Sequence, residues 1–208
     1  MQHLDLNTFM AEVHKNAVEH GWWENERTEG TIRSLFHCEL SEAVEAFRSH
    51  EPNHWHRCPH KAGEACEKMP VHDEELHCEA CMPAMRKPEG VCVELVDFVI
   101  RAFDYLGHKQ FMFPQSMNTA AKLAAWSVDD FQSEEHANVL DLEAPDFVDV
   151  LHDEITLSRV MKNITYLATA CGLTFAWIEK QKLDPVVLML EKHHYNKTRS
   201  YKHGGKAC

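Results

Sequence analysis

The sequence predicts an all-α protein, a helical bundle built round two inward-facing helices, and three observations carry that prediction. Apolar residues recur at three- and four-residue spacings in one segment after another. Two acidic pairs, Glu39-Leu-Ser-Glu42 and Glu94-Leu-Val-Asp97, stand at i, i+3, so each pair projects from one side of its helix. The segment from about Gly90 to Leu106 is apolar nearly all round, which marks a buried helix.

At 208 residues the chain can build one good core, or two small units sharing one. Its formal net charge of −12 argues against a nucleic-acid surface, which needs a basic patch. A small anionic substrate stays compatible with that charge where a metal supplies local positive charge. No apolar run follows a basic start and none approaches the ~18–20 residues of a membrane span. A cytoplasmic location is expected, with the eight cysteines as reduced thiols or metal ligands rather than disulfides.

Asp5 to His20 sets Leu6, Phe9, Met10, Val13 and Ala17 on one face, an amphipathic helix that Gly21 stops. Trp22 and Trp23 follow outside it and fit either a packing lid or a ligand platform. Glu24 to Gly30 is charged and reads as a loop. The helix from about Thr31 to Ser49 carries the first acidic pair. On a wheel of about 100° per residue, its apolar arc holds Leu35, Phe36, Leu40, Ala43, Val44, Ala46 and Phe47. Glu39 falls inside that arc, Glu42 lies at its border and Glu45 faces away. An inward carboxylate is costly unless it is paired or bound to metal.

On the Gly90–Leu106 helix, Glu94, Asp97, Arg101 and Asp104 share one narrow stripe. One reading is a buried ion-pair network with Arg101. The other is an oxygen-rich site for a hard divalent cation such as Mg²⁺. Three acids against one base favour the cation, and Glu39, Glu42, Glu94 and Asp97 are its candidate ligands.

Between the two helices, from about His50 to Pro88, lies a segment holding Cys58, Cys66, Cys78 and Cys81, with His54, His56, His60, His72 and His77 among them. Cys78-Glu-Ala-Cys81 lets one tight turn supply two ligands of a tetrahedral zinc site. Cys58 with Cys66, or His60 with Cys66, would complete it. With almost no aliphatic residues the segment cannot build a core, and a structural Zn²⁺ would stand in for one. Seven acids against three bases between Glu51 and Glu79 have the wrong sign for phosphate contact. The segment is therefore read as a clip joining the acidic helices, against an incidental insertion without metal.

Further on, Pro114 marks a turn, Met117–Ala125 a short helix, and the stretch through His136 a polar connection. Phe147 to Ala170 is expected as one long helix ended by Gly172, with Leu173–Lys182 a further helix. Asp184-Pro185 reads as the cap and first residue of the last one. The words Phe36-His-Cys-Glu-Leu-Ser and Leu151-His-Asp-Glu-Ile-Thr match in pattern, so a degenerate second half packing on the first is one reading and chance similarity the other. From Lys192 to Lys206 five cations stand on an otherwise acidic chain. That tail reads as a phosphate- and base-contacting element, or as a solubilising one. The expected layout is thus 1–110 for the acidic helices with 50–88 inserted, 111–191 for additional helices, and 192–208 for the basic tail.

Together the acidic pairs resemble the ExxE…ExxD signature of the MazG-like nucleoside triphosphate pyrophosphohydrolases, in the all-α dUTPase superfamily. His20-Gly-Trp-Trp-Glu-Asn-Glu-Arg27, the words around Glu39 and Asp97, Lys87-Pro-Glu-Gly90 and Lys197-Thr-Arg-Ser-Tyr-Lys-His-Gly-Gly-Lys206 agree with it. The 51 residues between Glu42 and Glu94 exceed the family's usual gap, and the Cys/His-rich insertion accounts for the excess. The resemblance implies a MazG-like bundle that hydrolyses a nucleoside triphosphate to the monophosphate and pyrophosphate. It implies Mg²⁺ held by Glu39, Glu42, Glu94 and Asp97, and a water activated by Glu39 or Glu42 to attack the α-phosphorus. Lys197, Arg199 and Lys206 would hold the outer phosphates, Trp22, Trp23 and Asn25 would form the base pocket, and a homodimer is expected. Two other functions fit the residues: a zinc-dependent binding module without catalysis, and a hydrolase of another phosphorylated metabolite.

Overall fold

A computed structural model describes residues 1–57, 86–132 and 138–201. Within them the chain forms α1 (Leu6–Glu19), α2 (Glu29–Arg48), β1 (Trp55–Arg57), β2 (Lys87–Glu89), α3 (Val91–His108), α4 (Ala120–Gln132), α5 (Ala144–Val160), α6 (Thr165–Lys180) and α7 (Pro185–Thr198). The all-α class is borne out, with one short antiparallel hairpin among the described residues. As its apolar circumference requires, α3 is the buried axis, packed by α1, α2, α6 and α7. No helix among the described residues is long and apolar enough to cross a membrane.

Side-chain caps start helices where the sequence offers them. Asp5 accepts from the Thr8 amide, Thr28 from Thr31 and Asp184 from Val186. Gly21 ends α1 as expected: at φ 77° it lets its own amide reach the Val18 carbonyl and the Trp22 amide reach Ala17. That pair of bonds turns the chain sharply out of the helix. The ends of α2, α3, α5 and α6 make the same turn without glycine, through His50, Gln110, Lys162 and Lys182, all at positive φ.

This capping corrects the reading of the later helices. The expected single helix from Phe147 to Ala170 is two, because the Asn163 amide bonds back to the Ser158 carbonyl and breaks the run. The Asn163 side chain then accepts from the Thr165 amide and starts α6. Gly172 ends nothing; it lies inside α6, where α6 presses on α4. The expected Met117–Ala125 helix begins later and runs longer, from Ala120 to Gln132. A Cβ at Gly172 would come 2.0 Å from Ser127 Oγ and 2.6 Å from the Leu123 carbonyl oxygen. Gly172→Ala is therefore expected to destabilise the fold by about 1–3 kcal/mol through overpacking, although alanine is the better helix former by about 1 kcal/mol. Chemical denaturation of the variant checks it, and a gain in stability would contradict the close approach.

The first three helices and the next three pack in matching ways. As α3 packs on α1 and α2, so α6 packs on α4 and α5, and α2 meets α5 while α3 meets α6. Where α2 and α5 meet, His37 Nδ1 lies 2.6 Å from His152 Nδ1. Burial lowers the pKa of both rings, so one donates and the other accepts as neutral imidazoles. They are the histidines of the two matching words. Glu154 is as buried as Glu39, its counterpart.

The stems of the insertion pair as the hairpin, with Trp55 opposite Glu89, His56 opposite Pro88 and Arg57 opposite Lys87. Cys58, Cys66, Cys78 and Cys81, the expected zinc ligands, lie outside the described residues, as do His60 and Lys206. The expected boundary at 192 is not where the fold changes, since α7 continues to Thr198 and buries Lys192 and His193. This part of the basic segment is core, and its cations are placed by a helix.

Candidate metal centre and phosphate pocket

Three elements build the site. The α2 face that buries Phe36, Leu40 and Ala43 also carries Glu39 inward. α3 presents Glu94, Asp97, Arg101 and Asp104 along one stripe. α7 contributes Lys192, His193 and Asn196, one turn of a single face. They enclose a cavity of about 190 Å³ whose walls include Glu39, Glu42, Glu94, Asp97, Arg101, His193, Asn196 and Arg199.

At its floor, one ligand oxygen from each of Glu39, Glu94 and Asp97 lies within 4.8 Å of the others. Octahedral Mg²⁺ places its oxygens roughly 3.0–4.2 Å apart, so a small contraction brings these three onto one ion. Glu42 is exposed at the rim and lines the same cavity, one helical turn from Glu39. The predicted carboxylate set thus converges, as three inner groups and one outer.

Two cations stand against the acids. Arg101 Nε donates to Glu39. Lys192 Nζ lies 2.8 Å from Asp97 Oδ2, 3.9 Å from Glu94 Oε1, and donates to the Pro88 carbonyl at 3.2 Å. β2 thereby fixes Lys192 from the insertion stem. Burial pulls the Lys192 pKa down, but Asp97 and Glu94 outweigh it and hold the ammonium above its ordinary range.

The carboxylates move the other way. Burial raises the Glu94 pKa to about 8, with Lys192 opposing and Asp97 adding to it. Burial also raises Glu39, Arg101 opposing, with Asp97 and Glu42 reinforcing the shift. Two carboxyl groups reluctant to ionise beside a third are an unmet demand for positive charge. A divalent ion supplies it, and the all-oxygen donor set suits a hard one. The residues present therefore fit Mg²⁺.

His193 is 3% exposed, sits edge-on to Phe9 with ring centroids 5.2 Å apart, and has no hydrogen-bond partner for either ring nitrogen among the described residues. Burial, with Lys197 adding, lowers its pKa to about 4. A histidine depressed in this way stabilises the fold above its unfolded value of about 6.5, and the contribution is lost as pH falls toward 4. About 3 kcal/mol of acid sensitivity is expected from this ring. His193→Gln should flatten the denaturation profile across that window, and an unchanged profile would contradict it.

The substrate contacts expected from sequence divide. Trp22 and Arg199 line the cavity. The His20 imidazole Nε2 lies 3.1 Å from the Arg199 carbonyl and ties that residue to α1. Trp23 does not line it: its indole donates to Asp104 at 2.8 Å and stacks on His108 at 3.9 Å between centroids. Trp23 is packing, and Asp104 serves it and His14 rather than a metal. Asn25 is exposed and away from the cavity walls, and Lys197 pairs with Glu12. His193, Asn196 and Lys87, which line the cavity, and Lys192, which pairs with Asp97 from the interior, were missed as site residues. The i, i+1, i+4 spacing of Lys192, His193 and Asn196, which sets them on one face of α7, was the available signal for three of them. In comparisons with family models, with curated proteins and with solved structures, nothing matches this chain.

Proposed function

We propose that this pocket binds a nucleoside triphosphate with Mg²⁺ and hydrolyses it to the monophosphate and pyrophosphate. One observation carries the reading: a buried cluster of three carboxylates lines a cavity with the half-buried Arg101 paired to it, and the buried Lys192 is held against the same cluster from the protein interior. An acid cluster alone suits a metal. Acids interleaved with cations suit a metal with a polyphosphate, since both signs then find partners.

Glu39, Glu94 and Asp97 would hold Mg²⁺, which when bound neutralises phosphate oxygens and acidifies water. Glu42 faces the cavity from its solvent side and is the group placed to take the proton from the attacking water. Arg101 is engaged with Glu39 in the metal-free chain and would turn to phosphate oxygens once that carboxylate is otherwise neutralised, while Lys192 stays against Asp97 and Glu94 from the interior. Arg199 and Lys87 border the same space and extend the cationic wall. Trp22 offers an apolar face for the base, and His193 and Asn196 offer polar edges beside it. Every one of these groups belongs to one chain, so each subunit of a homodimer would carry a complete site. In the same reading, Cys58, Cys66, Cys78 and Cys81, which lie outside the described residues, would hold a structural Zn²⁺.

A panel of ribo- and deoxyribonucleoside triphosphates with Mg²⁺, assayed for pyrophosphate, tests the reading alongside Glu39→Gln. Release from at least one triphosphate, lost in the variant, is expected. Turnover of none would leave a binding module, and inorganic phosphate in place of pyrophosphate would point to a different hydrolase.

A further inference from the structure

α7 meets the insertion stem a second time through Glu191, which is next in sequence to Lys192, about 100° round the helix from it, and is not among the residues lining the cavity. Its two oxygens are shared by two rings: His54 Nε2 lies 2.8 Å from Oε2, and His56 Nε2 is hydrogen-bonded to Oε1. His56 lies in β1 and His54 in the bend just before it, and both rings reach the one carboxylate of Glu191. The rings pack edge to face at 4.8 Å between centroids. All three residues are partly buried, and one ligand atom from each lies within 4.8 Å of the others.

We propose that His54, His56 and Glu191 form a second metal site, distinct from the carboxylate cluster, that takes a transition-metal dication of the zinc class. Two imidazoles and one carboxylate are the ligand types zinc takes and Mg²⁺ does not favour. Both histidines present Nε2 to one point, and Glu191 supplies the negative charge that offsets the ion. Tetrahedral zinc sets such ligand atoms roughly 3.3 Å apart, so a carboxylate now bridging the rings at 2.8 Å and 2.5 Å needs to open by about half to one ångström to admit an ion between them. Three protein ligands leave the fourth position to water. The ion would tie the strand before the insertion to α7, and so fix the helix turn that presents Lys192 to Asp97. The proposal stands whether or not the carboxylate pocket hydrolyses nucleotides.

Zinc titration of the full chain in excess Mg²⁺, followed by the nitrogen resonances of the imidazoles, tests the site directly. The Nε2 signals of His54 and His56 are expected to shift together to the position of metal-bound nitrogen, and Glu191→Gln to weaken that binding at least tenfold. Both rings remaining as free imidazoles at saturating zinc would overturn the proposal. A second arm separates this site from the thiols. With Cys58, Cys66, Cys78 and Cys81 all replaced by serine, Co²⁺ should still give visible ligand-field bands without sulfur-to-metal charge transfer. Loss of those bands from a variant that keeps its helical circular dichroism would equally overturn it.

Discussion

Lys192→Met is expected to destabilise the metal-free protein by about 3–5 kcal/mol, the cost of leaving a buried charge without its partner. Lys192 is fully buried, and its ammonium lies 2.8 Å from Asp97 and 3.9 Å from Glu94. Methionine keeps the packing of the stem and removes the charge alone. Asp97 must then take up a proton or stay ionised unsupported, and either lowers stability near neutral pH. Mg²⁺ should restore part of the loss, because the ion offsets the same carboxylates. The melting temperature of the variant should therefore rise more with added Mg²⁺ than that of the wild type. A variant as stable as wild type without metal would show that Lys192 does not balance this cluster.

Glu94→Gln should separate stability from function. With its pKa raised to about 8, Glu94 carries its proton in the metal-free fold at neutral pH, so glutamine replaces one neutral group by another. The metal-free variant should match wild type below pH 4.5 and be the more stable of the two near neutral pH, because only the wild-type carboxyl has to give up its ionisation on folding. Turnover should fall by about 10³-fold or more, since the lost ligand removes a share of the several kcal/mol that a metal ion supplies. The pH dependence has a definite sign. A carboxyl whose folded pKa lies above its unfolded value of 4.5 stabilises the fold below 4.5, and that contribution is lost as pH rises toward about 8. The metal-free wild type should lose stability across that window and Glu94→Gln should lose less. Denaturation at several pH values checks both, and parallel profiles would contradict the burial of an un-ionised Glu94.

Much of the site was legible because burying a charge is expensive. Glu39 sits inside an apolar arc, and Glu94 and Asp97 on a thin stripe of a helix apolar elsewhere. The sequence pattern alone marks both as inward, and inward is where the structure has them. The buried ion-pair reading and the metal reading proved to share these residues, since Arg101 and Lys192 occupy the cluster that a cation would claim. Lys192 itself was hidden. A lysine at the start of a histidine- and lysine-rich stretch has the composition of a solvated tail, and only the packing of α7 on α3 reveals it as core.

The helix boundaries failed for a local reason. Glycine is the usual residue at a left-handed helix end, and Gly21 served well. Lys162 gives no such signal, yet holds that conformation at φ 51° and splits α5 from α6. Gly172 gives the signal and does something else, admitting α4 against α6. Likewise, Trp23 and Trp22 are adjacent and chemically alike, and only the partners Asp104 and His108 show which one is packing.

The most direct test of the carboxylate cluster as a hydrolytic centre is where the oxygen of water goes. Turnover of a nucleoside triphosphate with Mg²⁺ in heavy-oxygen water, with products analysed by mass, should place one label in the nucleoside monophosphate and none in pyrophosphate. Label in pyrophosphate, or in inorganic phosphate released beside a diphosphate, would contradict attack at the α-phosphorus in this pocket.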